Sequence, residues 1–307
     1  MFSQTTFGDA DSSAIASAIR SVPLFHLRRL DFREIPIRRV VAMLRWFDID
    51  KRQPLSLSIR AAQSEGTGVS EEALPLLQDL VTLNPYGILD NLTKLRVALR
   101  AGKCSLYLIN AERDLKLECF SKGPVLSRLF GQKLRQLDEL WVSSSSGLRD
   151  SLNATIIRDL LEVAGSVRKL YVNVDFATLR PFWEALEDCC PSLQELHVLL
   201  HRIPRETKDM NRAYALDSLY EALETRAARG VPPLAHLGLY LHEYDNIEPS
   251  VAATLNARRM HLIQRAQLPH VTKVTADVLL VSDAEMWIRP PATKMPPIWC
   301  SSTTRDG

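Results

Sequence analysis

His197 and His201 stand four residues apart, the spacing that puts two zinc ligands on one face of a helix, and His242 follows further along the chain. A hydrolytic zinc motif of this kind needs a glutamate directly after its first histidine, to act as general base. Val198 occupies that place, and the surrounding ELHVLL alternates as a strand does, not as a helix. The adjacent Cys189 and Cys190 suggest a thiol nucleophile, which requires an exposed, electropositive setting. Cys190 instead continues the apolar spacing of the helix before it. Four serines at 143–146 lack the G-x-S-x-G context of a nucleophile elbow, and no phosphate-cradling glycine motif occurs. The expectation is therefore a chain with no catalytic residue, no cofactor and no resident metal. A metal-dependent or hydrolytic enzyme built on His197, His201 and His242 is the alternative.

Thr178–Leu200 shows what positions these residues. Leu179, Phe182, Trp183, Leu186 and Cys190 fall on one face of a helix, Pro191 is expected to stop it, and Leu193, Leu196 and Val198 follow as L-x-x-L-x-L. Neither half buries its apolar side alone, so the unit requires copies stacked beside it. Copies are present: SVRKLYVNV at 166–174, LRQLDELWV at 134–142, PPLAHLGLYL at 232–241, NLTKLRVAL at 91–99, FHLRRLDF at 25–32 and the weaker PHVTKVTADV at 269–278. Marking the first residue of each L-x-L pair gives positions 30, 57, 95, 115, 140, 170, 196, 237 and 274. Helices are expected over 12–22, 36–50 and 70–83, with a polar loop at 63–68 and a rim insertion at 201–212.

A helix, a Cys-Pro or Gly turn and then S-L-x-x-L-x-L resembles the leucine-rich-repeat family, and within it the irregular repeats of fungal F-box/leucine-rich-repeat receptor proteins. The resemblance implies an α/β fold, a leucine-rich-repeat solenoid with a parallel sheet on its concave side and helices on its convex side. It also implies the substrate-recognition part of a ubiquitin-ligase adaptor. Two departures stand out. The turn positions that usually carry Asn or Cys hold Ile35, Arg100, Ser145, Asp175, His201, His242 and Leu279, which points to an irregular, flatter arc. The repeats also begin within about twenty residues of Met1, so no F-box is visible, and a truncated product without a partner is a further alternative.

Composition sets outer bounds. In 307 residues, hydrophobic types make up 46% and charged types 24%, enough for a substantial core, and the formal charge of +2 offers no field for nucleic acid or a membrane surface. Five cysteines without a C-x-x-C pair and an N-terminus without an apolar leader point to a reducing compartment, cytoplasmic or nuclear. The solenoid is expected over 1–282. The segment 283–307, rich in proline, reads as a disordered tail.

Strand alternation then locates a surface. If the marked leucines point inward, the residues after them point outward: Trp141, Tyr171, His197 and Gly238, with Ser143, Asn173, Leu199 and Tyr240 two positions on. Tryptophan and tyrosine dominate interface energetics. Trp141, Ser143, Tyr171, Asn173, His197 and Tyr240 are thus the expected binding residues for a protein partner, with no nucleic acid, membrane or small-molecule ligand indicated.

Overall fold

The structure, a computed structural model, describes residues 22–23, 27–49, 54–61, 73–100, 103–111, 113–119, 130–144, 154–174, 176–200, 210–243, 264 and 270–280. In chain order the elements are β1 (Val22–Pro23), β2 (Arg29–Ile35), α1 (Ile37–Trp46), β3 (Phe47–Asp48), β4 (Leu55–Ala61) and α2 (Ala73–Leu83). Next come β5 (Lys94–Arg100), β6 (Lys103–Ile109), β7 (Arg113–Cys119), β8 (Glu139–Ser144), α3 (Ala154–Val163) and β9 (Lys169–Asn173). The chain continues with α4 (Phe176–Leu186), β10 (Glu195–Leu200), α5 (Met210–Ala228), β11 (His236–Glu243) and β12 (Val274–Leu280). Short 3-10 turns occupy Pro85–Gly87 and Gly131–Gln136. The expected helix at 12–22 (apart from Val22), the loop at 63–68, residues 201–209 of the rim insertion and the tail at 283–307 lie outside the described residues. No helix among the described residues is long and apolar enough to cross a membrane.

Ten strands make one open α/β sheet in the order β12-β11-β10-β9-β8-β5-β6-β7-β4-β2, while β1 pairs only with β3. Period-two patterning decides which face each side chain takes. The strand register lines up Leu30, Leu57, Leu115, Leu108, Leu95, Leu140, Leu170, Leu196, Leu237 and Val274 as one row across all ten strands. Nine of these are the positions marked in the sequence. All but Val274 are buried, and they share a single core cluster with Val40 and Leu44 of α1, Leu160 of α3, Phe182 and Trp183 of α4 and Leu219 of α5. Burying one such leucine contributes about 1.5–3 kcal/mol relative to leaving it in water.

One strand departs from the expected parallel array. The step from position 95 to 115 contains β6, which runs antiparallel to both β5 and β7, while every other pairing in the large sheet is parallel. Arg100 pairs with Lys103, so the paired strands stand two residues apart in sequence, a spacing that favours a tight hairpin. Leu106 and Leu108 supply the apolar alternation. The extra strands separate β4 from β5, so β4 pairs with β7 instead.

Side chains further along the chain reach back to the helix ends. Ser166 Oγ donates to Leu137 O at 3.0 Å, and Cys190 Sγ donates to Leu161 O and Ala164 O at 3.5 and 3.6 Å. Arg226 donates through Nη1 to Leu186 O and Cys189 O, each at 2.7 Å, and through Nη2 to Cys190 O at 3.0 Å. These bonds bring side-chain donors to carbonyls at and just beyond helix ends, where intrahelical partners run out. Helix α4 ends at Leu186, before Pro191, and the chain reverses through Cys190 in the left-handed region at φ 51°. The far end of α5 reverses at Gly230, φ 78°, where Val231 N–H bonds Arg226 O at 3.0 Å.

Candidate functional site: a ring stack and a charge row on the second sheet face

The sheet face opposite the leucine row carries the chemistry. Residues one position after the marked leucines, joined on antiparallel β6 by Tyr107 just before Leu108, form a row of neighbours in the order Lys116, Tyr107, Arg96, Trp141, Tyr171, His197 and Gly238 across β7, β6, β5, β8, β9, β10 and β11. Trp141 stacks on Tyr171 with ring centroids 3.8 Å apart and planes 6° from parallel, and Tyr171 stacks on His197 at 4.5 Å and 7°. The Arg96 guanidinium lies 5.0 Å from the centre of the Tyr107 ring, and the Lys116 amine 5.5 Å from it, both within cation–π range. Parallel strands spaced by about 4.8 Å place rings in stacking distance whenever the same register position is aromatic on successive strands.

Stacking changes the exposure expected from the sequence. Trp141 and His197 are only 7% and 6% exposed, because each covers its neighbour, and Asn173 and Leu199 on the same face are also buried. Tyr171, Ser143 and Tyr240 remain half-buried. Gly238 makes the end of the stack possible: a Cβ there would sit 2.5 Å from His197 Nδ1 and 2.9 Å from Tyr240 Cε2. With that space free, the Tyr240 hydroxyl approaches His197 Nδ1 to 3.3 Å. Burial raises the phenol of Tyr171 above its ordinary value, and the carboxylates of Glu139 and Glu195 push the same way.

A second row, one position before the leucines, alternates in charge: Lys94, Glu139, Lys169, Glu195 and His236 are successive register partners on β5, β8, β9, β10 and β11. Lys94 Nζ lies 3.2 Å from Glu139 Oε2, and Lys169 Nζ 2.9 Å from Glu195 Oε1. Glu139 Oε1 also accepts the Trp141 indole N–H at 2.6 Å, tying the charge row to the ring stack. None of this row was singled out from the sequence, although its signal is present as the dipeptides E-L, K-L, E-L and H-L at consecutive marked positions.

The histidines regroup. His197 Nε2 lies 3.5 Å from Glu195 Oε2, and the His197 and His236 rings meet edge to face at 5.0 Å. Burial, reinforced by the neighbouring His236, pushes the His197 imidazole down to about 4 despite the opposing Glu195, so it is neutral at neutral pH. Burial also lowers His236. The register partner of His197 on β11 is Gly238, which leaves the backbone of His242 four residues further on and about 13 Å away along the strand. The side chain of His242 and all of His201 lie outside the described residues. Cys190 is fully buried and its thiol is pushed up to about 12 by that burial, a setting that opposes thiolate chemistry.

No family model matches the chain, and no curated protein and no solved structure matches it either.

Proposed function

We propose that the chain is a non-enzymatic, protein-binding scaffold of leucine-rich-repeat type that takes its partner on the sheet face between Arg96 and Tyr240. The observation that carries this reading is the Trp141–Tyr171–His197 stack, bordered on the same face by the charge row. Rings already fixed by their neighbours lose little freedom on binding, and a half-exposed tyrosine flanked by Glu139, Lys169 and Glu195 offers an apolar anchor with a polar rim.

Support for the repeat type comes from the backbone before each strand. Asp138 and Glu139 N–H bond Thr93 O, Arg168 and Lys169 N–H bond Asp138 O, and Gln194 and Glu195 N–H bond Arg168 O, all within 2.9–3.0 Å. The same offset thus recurs over four strands, as it does in stacked coils. On this reading the chain is the substrate-recognition element of an F-box-type ubiquitin-ligase adaptor, working in the cytoplasm or nucleus.

The test is affinity capture with the full chain as bait, followed by identification of what is bound and quantitation against Tyr171→Ala. The expected result is one partner whose affinity falls at least about tenfold, or about 1.4 kcal/mol, in the variant while its circular dichroism is unchanged. Unchanged capture by Tyr171→Ala removes this face from recognition. Ligase scaffold subunits recovered with the partner support the adaptor role, and their absence from a complex that holds the partner removes it.

A further inference from the structure

We propose that Glu195, His197 and His236 form a binding site for a divalent cation of the zinc class. Their ligand atoms lie within 4.8 Å of one another on one face of two adjacent strands. Glu195 and His236 are direct register partners, and His197 lies two residues beyond Glu195 on the same strand. Two imidazoles and a carboxylate suit zinc-like ions, with a fourth position left for water.

What raises this group above a chance cluster is the shell behind it. A ligating histidine ordinarily holds its other ring nitrogen in a hydrogen bond, which fixes the tautomer. Here His197 turns Nε2 toward Glu195 and keeps Nδ1 against the Tyr240 hydroxyl. His236 engages Thr275 Oγ1 through Nε2 at 2.8 Å, which leaves Nδ1. Glu195 is divided in the same way: Oε1 is held by Lys169, and Oε2 faces His197. His197 and Glu195 therefore each have one atom anchored and one facing the other, and His236 has one ring nitrogen anchored. Lys169 and Lys273 also act on these histidines and oppose a dication, which weakens binding. The site needs the ligands to close by about 1–1.5 Å to reach metal bond lengths near 2.0–2.2 Å, a side-chain adjustment and not a backbone one.

Titration of the tag-free full chain with Co²⁺, followed by its visible absorption, and with Zn²⁺ by calorimetry tests the site. One ion per chain is expected, with the absorption of a tetrahedral or five-coordinate nitrogen–oxygen site. Affinity should fall at least tenfold in His236→Gln and in Glu195→Gln. Thr275→Val, which leaves every ligand in place, should weaken binding through the loss of orientation alone, and His270→Gln should leave it unchanged. Absence of stoichiometric binding overturns the proposal. So does binding that survives in folded His236→Gln but is lost in His201→Gln with His242→Gln.

Discussion

At the scale of single residues, Gly238 shows how a missing side chain organises its surroundings. Glycine weakens a strand interior, and here the compensation is that the His197 and Tyr240 rings occupy the space a Cβ would take. Gly238→Ala is expected to destabilise by about 1–3 kcal/mol, the usual range for overpacking. It should also displace the imidazole from Tyr171, visible as loss of the ring-current shift on the His197 ring protons. An unchanged shift and unchanged stability would show the space to be slack. The ring row itself was legible in the sequence, since Trp141, Tyr171 and His197 follow successive L-x-L markers. The pairing of Glu195 with His236 was not, because forty-one residues separate them and only the register of β10 against β11 brings them opposite.

At the scale of elements, the apolar spacing of α4 correctly placed Leu179, Phe182, Trp183, Leu186 and Cys190 in the core. What closes the helix was hidden, because its cap comes from Arg226, forty residues after Leu186. One guanidinium serves three carbonyls there at 3% exposure. Arg226→Met, close in volume but without donors, should therefore cost about 2–4 kcal/mol by chemical denaturation, since buried acceptors lose charged partners. Arg226→Lys should recover little, because an ammonium cannot match the planar fork. Recovery by lysine would mean that charge alone holds the junction. The β5–β6–β7 excursion escaped the sequence reading for a related reason. Leu115 and Leu117 mimic a repeat strand, and only pairing reveals that Leu106 and Leu108 belong to the same row.

At the scale of the whole molecule, the leucine row crosses the one antiparallel strand without a break. The sequence foresaw that row from its markers, but not the order in which the strands carry it, because order is set by hairpin closure and not by periodicity. Leu108→Ala in the antiparallel strand and Leu196→Ala in a parallel one should each destabilise by about 2–5 kcal/mol. Both losses should appear equally in hydrogen exchange at β2–β4 and at β9–β11, because the buried side chains form one cluster. Protection lost only near the mutated strand would instead indicate independent coils.

The placement of β7 between β4 and β5 also bears on how the chain acquires its shape as it is made. Strands β2 and β4 emerge first, yet the edge that receives them does not exist until residue 119 has been synthesised and the hairpin has folded back. For that interval, on the order of several seconds at ordinary elongation rates, Leu55, Leu57 and Ile59 belong to a strand whose pairing edge stands open on that side.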